Sequence, residues 1–151
     1  RAPPPSYLFL SFHSYGGIVS AARDDVKSRI DAIEESYEFF LAYAAQGLSG
    51  AQASKTVGQI QTFLGKSEGA LDGLADAFRS VVEEAGAEPS DAWDHLLSVL
   101  ERDAADSLAA VRLVSALPGV SSQLIDNLNA NIHLRALLTD LFLLDDLIDA
   151  I

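Results

Sequence analysis

Apolar residues recur at steps of three and four along four stretches of the chain, the spacing that keeps side chains on one face of an α-helix. Over residues 21–46 they are Val26, Ile30, Ile33, Tyr37, Phe40 and Ala44. Over 52–85 they are Val57, Ile60, Leu64, Leu71, Leu74, Phe78 and Val81, with Ser67 filling one step. Over 91–116 they are Trp93, Leu97, Leu100, Ala104, Leu108 and Val111. The last stretch, from residue 123 onward, uses Leu134, Leu137, Leu141, Leu144, Ile148 and Ile151. Alternating three- and four-residue steps form the seam of helices packed about 20° from antiparallel. No stretch sustains the two-residue alternation of a half-buried strand.

The punctuation between these stretches agrees with helices. Gly47 and Gly50 can close the first and Gly86 the second by supplying a left-handed residue at the C-terminus. Ser90, behind Pro89 and ahead of Asp91, stands where an N-cap of the third belongs. Pro118 and Gly119 end the third helix, and Ser121 or Ser122 caps the fourth. Short connections force sequential helices to run antiparallel, and a segment of some 26 residues spans about 40 Å. The pattern therefore predicts an all-α fold, an up-down-up-down four-helix bundle over residues 18–151. A non-helical arm, extended or disordered, is expected over residues 1–17, where Pro3, Pro4 and Pro5 oppose a helix. Its apolar run, with Leu8, Phe9, Leu10 and Phe12, suits an apolar groove. The second segment carries Gly58, Gly65, Gly69 and Gly73. Either the helix is weak or kinked between Leu64 and Gly73, or Gly58, Gly65 and Gly69 let a neighbouring helix approach closely.

Composition narrows the function classes. The chain has 151 residues, 49% of them apolar, enough for one domain with a genuine core. Lys and Arg number 10 against 22 Asp and Glu, a net charge of −12. That field repels nucleic acid and anionic lipid, so neither is an expected partner. No apolar run approaches the length of a membrane span, and the expected setting is cytoplasmic. With no cysteine, disulfides, thiolate metal sites and a cysteine nucleophile are excluded.

Enzyme motifs are missing. His13, His95 and His133 stand in neither the Glu-x-x-His spacing of a bundle di-metal site nor the His-Glu-x-x-His of a zinc protease. Asp91 and His95 lie four apart, but on a first helical turn the aspartate serves the helix N-terminus. Glu34, Glu35 and Glu38 flank the seam as a solvated acidic face. Gly47 to Gly50 lacks the strand that precedes a hydrolase serine. No catalytic residue, metal or cofactor is expected.

The last segment is the informative one. Read as one continuous helix, it puts Leu134, Leu137, Leu141, Leu144 and Ile148 on one side. Leu128, Ile132 and Leu143 fall on the other, with Leu124 and Phe142 at its edge and Arg135 and Thr139 in the same region. A bundle helix needs one apolar stripe, and a second one needs a cover. The expected interface is thus Leu124, Leu128, Ile132, Arg135, Phe142 and Leu143, in a non-enzymatic accessory, assembly or regulatory protein. Its expected partners are a second copy, as a homodimer, and a larger protein with a basic surface. A kink near Asn131 would instead turn both stripes into one core. The alternative function is a small-molecule- or cofactor-binding bundle. Its polar site would gather Tyr37, Tyr43, Asn131 and His133, beside Asn127 and Asn129. A third possibility uses Glu38 or His133 as a catalytic base. His133 and Asp140, seven apart on one flank, form a conceivable proton-sensitive pair.

Overall fold

The computed structural model describes residues 12–49, 52–53 and 57–151. Residues 1–11, which hold Leu8, Phe9 and Leu10 of the expected arm, lie outside the described residues, as do the side chains of residues 12–20 and Val57. Six helices follow in order among the described residues: α1 (Phe12–Ala45), α2 (Val57–Leu71), α3 (Leu74–Ala85), α4 (Ser90–Ser115), α5 (Ser122–Ala130) and α6 (Ile132–Asp149). No strand occurs among them. The backbone of residues 12–17 is helical, so the expected arm boundary at residue 17 falls inside α1. Pro3, Pro4 and Pro5, the strongest signal against a helix, all precede it.

The six helices form four arms of an up-down-up-down four-helix bundle: α1, the pair α2–α3, α4, and the pair α5–α6. Cross-arm pairs fix the antiparallel register. Lys66 of α2 pairs with Glu35 of α1. Arg112 of α4 reaches Glu68 at 3.7 Å and Asp72 at 3.9 Å, and Arg79 of α3 reaches Glu101 of α4 at 3.5 Å. Lys27 of α1 lies 3.4 Å from Asp149 of α6. Such exposed pairs contribute little stability. The fold is held by the seams behind them, where Val26, Ile30, Ile60, Leu64, Phe78, Leu97, Leu100, Leu137, Leu141 and Leu144 are fully or nearly fully buried.

Two arms are broken, each for a local reason. In the second, Gly73 takes the left-handed conformation (φ 75°, ψ 14°) between α2 and α3, a region that side chains disfavour. Arg29 of α1 clamps the break, donating to the carbonyls of Ala70 at 3.1 Å and Asp72 at 2.6 Å. It thereby occupies oxygens that a helix C-terminus leaves unpaired. The kink is the correct alternative for this segment. A Cβ built on Gly58, Gly65 or Gly69 meets no atom within 4 Å, so no helix approaches there. Gly65→Ala and Gly69→Ala are accordingly expected to raise stability by about 0.5–1 kcal/mol each. Gly73→Ala is expected to lower it by about 1 kcal/mol or more. Denaturant titration distinguishes the two signs.

The helix ends partly follow expectation. Gly86 caps α3 in the left-handed region (φ 59°). Ser121 caps α5, its Oγ accepting from the Leu124 N–H at 3.1 Å. Ser90 is not a cap but the first residue of α4, and its N–H donates to the Glu88 carboxylate at 2.9 Å. Ser122 does different work. Its hydroxyl accepts from the Leu48 N–H at 2.8 Å and donates to the Tyr43 carbonyl at 2.6 Å, tying α5 to the end of α1. No helix among the described residues is long and apolar enough to cross a membrane.

Candidate functional site

The candidate site is built on the second broken arm. Asn131 is extended (φ −60°, ψ 130°), ends α5, and caps α6. Its side-chain oxygen accepts from the N–H groups of His133 at 3.0 Å and Leu134 at 3.4 Å. Asparagine suits this role because its short amide reproduces a backbone acceptor one turn ahead. The break resets the helical phase. In one unbroken helix Leu128 and Leu134, six residues apart, would point about 120° from each other. Across the break both are buried.

Leu128 is therefore corrected from the outer face to the core, where it is 5% exposed. Leu124 is half-buried and packs against the core. The rephasing leaves the remaining outer residues outside: Ile132 is 73% exposed, Phe142 58% and Leu143 51%. The expected kink at Asn131 thus occurs, yet it shelters only the first part of the second stripe. The inner face of α6 is complete without the outer residues, since Leu134, Leu137, Leu138, Leu141, Leu144 and Ile148 are buried.

Between Ile132 and Phe142 the outer face of α6 holds Arg135 and Thr139, both exposed. A shallow depression of about 520 Å³ is lined by Ala130, Ile132, Arg135, Ala136 and Thr139. The Thr139 hydroxyl is turned back onto the Arg135 carbonyl at 2.9 Å, so it offers its methyl side to the stripe. Among the described residues no carboxylate lies within ion-pair distance of the Arg135 guanidinium. Among the described residues Lys27, Arg29, Lys66, Arg79 and Arg112 have ion pairs, whereas Arg135 stands unpaired within an apolar stripe.

The four residues expected to form a polar ligand site are each committed elsewhere. The Tyr43 hydroxyl is buried and donates to the Val120 carbonyl at 2.5 Å. Tyr37 packs half-buried against the core. Asn131 is spent on the cap, and His133 lies half-exposed with Nδ1 3.5 Å from Asp106 of α4. The structure does not gather them around one cavity. Asn129 is buried with neither amide atom hydrogen-bonded. Asp91 accepts from the Ala92 N–H at 3.0 Å, the helix-start role expected of it. No group of three or more His, Asp or Glu among the described residues is placed to hold a metal ion.

One perturbed carboxyl was invisible in the linear pattern. The Asp140 carboxyl of α6 is pushed up to about 7, by burial first and then by hydrogen bonding with, and the charge of, Asp103 of α4. Its Oδ2 is out of solvent without a partner. Glu34 of α1 is also raised, by burial and then by Asp31, Asp145 and Glu38.

Comparison of the chain with protein-family models, curated proteins and solved structures returned no match.

Proposed function

We propose that the protein is a non-enzymatic helical-bundle interaction protein that pairs with a second copy of itself through the outer face of α6. The observation that carries this is the stripe of Ile132, Phe142 and Leu143, exposed on a helix whose inner face is already filled. Arg135 chooses the partner. An unpaired guanidinium at the centre of an apolar stripe calls for a carboxylate opposite it. A chain of net charge −12 supplies one from its own copy.

The pairing suits a two-fold axis, the commonest symmetry of soluble oligomers. With the axis near Thr139, the two α6 helices run antiparallel. Arg135 of one copy then lies opposite Leu143 of the other, one turn from Asp146, and Phe142 lies opposite Ala136. The apolar contribution is several kcal/mol before association costs, so a weak pairing that dissociates on dilution is expected. The acidic remainder of the surface faces outward from the pair and fits a larger partner with a basic surface, in an accessory or regulatory role. A cytoplasmic setting accords with a chain free of cysteine.

Light scattering across a dilution series tests this. The expected molar mass is twice the 16.1 kDa of one chain at high concentration, falling toward one chain on dilution. A single-chain mass at every concentration rejects the pairing.

A further inference from the structure

Where α4 begins and α6 ends, apolar surface is left uncovered. A cleft of about 300 Å³ opens there, with Ala92, Trp93 and Leu96 of α4 on one side and Leu147 and Ile151, at the end of α6, on the other. Leu96 and Leu147 pack against the core only in part, Ile151 is exposed and Trp93 is nearly buried. Glu88 is the one charged side chain on the lining. Its Oε2 accepts from the Ser90 N–H at 2.9 Å, which leaves its other oxygen for a ligand. Among the described residues no lysine, arginine or histidine lies within ion-pair distance of Glu88. Arg23, which reaches this end of α6, is spent on the carbonyls of Ile148 at 2.6 Å and Ile151 at 3.1 Å. The start of α4 offers an anion little, because the N–H groups of Ser90, Ala92 and Trp93 already meet Glu88, Asp91 and the Pro89 carbonyl.

We propose that this cleft binds a small organic ammonium ion, with the apolar body of the ligand against Trp93, Leu96 and Leu147 and its charged nitrogen at the Glu88 carboxylate. Each part of that chemistry has its counterpart in the cleft. Apolar walls with one convergent polar group are the make-up of a small-molecule site. A carboxylate without a cation of its own calls for one, and a charge-assisted hydrogen bond fixes the ligand's orientation. Tryptophan is the side chain that attracts an organic cation most strongly. The net charge of −12 raises the local concentration of cations and lowers that of anions. A volume of about 300 Å³ lies at the small end of ligand pockets, so the body is a single ring or a short alkyl chain. The cleft shares no lining residue with the stripe of Ile132, Arg135, Phe142 and Leu143, and the proposal does not depend on pairing at the outer face of α6.

Trp93 is the only tryptophan of the chain, so its emission reports on the cleft directly. The test titrates the full chain with phenethylammonium and, separately, with phenylpropionate, at about pH 7, where both probes are ionised. The two share a ring and a two-carbon chain and differ in the sign of their charge. The site gives a saturable change in Trp93 emission with the ammonium ion, which binds at least about tenfold more tightly than the carboxylate. Glu88→Gln keeps an acceptor for the Ser90 N–H and loses the charge. It should weaken the ammonium ion about threefold to tenfold and leave the carboxylate no weaker. Ala92→Phe fills the cleft and should abolish the response. Equal affinity for the two probes overturns the proposal. So does an emission change that grows with the ammonium ion without saturating, as diffuse attraction to an acidic surface produces, or no change at all. Unaltered ammonium binding in Glu88→Gln or in Ala92→Phe also overturns it. If either variant fails to fold, the comparison of the two probes on the wild type decides.

Discussion

Leu128→Asp is expected to destabilise the fold by about 4 kcal/mol or more, whereas Ile132→Asp, four residues later, should change stability by no more than about 0.5 kcal/mol. On an unbroken helix these two positions share a face, and the same substitution would have the same consequence at both. The break at Asn131 separates them. Leu128 sits in the core, and a carboxylate placed there would be buried. Ile132 is the first residue of α6 and stands in solvent. An acid at a helix N-terminus is favoured by the exposed N–H groups, which offsets lost helix propensity. Denaturant unfolding followed by circular dichroism measures both, and Trp93, which lines a depression together with Leu147 of α6, gives an independent fluorescence signal. Similar losses at both positions would mean that the second stripe is sheltered within a single chain.

The second large effect falls on association. Ile132→Asp combined with Leu143→Asp is expected to weaken pairing at least about 100-fold, some 2.7 kcal/mol. Two-fold symmetry doubles each substitution, so two changes per chain place four carboxylates in one small interface. Each removes apolar area and adds a charge facing an acidic partner. Both positions are exposed in the single chain, so helix content and unfolding midpoint of the separated chain should hold. Sedimentation equilibrium measures the dissociation constant. Arg135→Glu should act in the same direction, because it removes the cation that the partner's carboxylates meet.

The bundle was legible because its information is local. Three- and four-residue steps, the prolines and Gly86 each act within a turn or two, and such signals survive without knowledge of the rest of the chain. The kink at Gly73 was legible as one of two alternatives. What decided it was whether another helix stood beside Gly65 and Gly69, which only the packed structure shows. Asn131 carried a readable signal, an asparagine ahead of an apolar run, which is how an N-cap appears. Treating the last segment as one helix absorbed that asparagine into a polar cluster and sent Leu128 to the wrong face. The influence of Asp103 on Asp140 links residues 37 positions apart on different helices, and no periodicity marks such a pair. The unpaired state of Arg135 is likewise a statement about what every other charge is doing.

The absence of cysteine from the chain makes one direct measurement possible. In a Thr139→Cys variant the single thiol lies at the centre of the α6 outer face, beside the expected two-fold axis. Mild oxidation should convert most of the protein to a disulfide-linked pair at concentrations where the wild type is paired, and adding Leu143→Asp should suppress it. The same thiol placed on the exposed face of α3, as Glu83→Cys, should stay free. A Thr139→Cys variant that links no faster than Glu83→Cys would contradict pairing through α6.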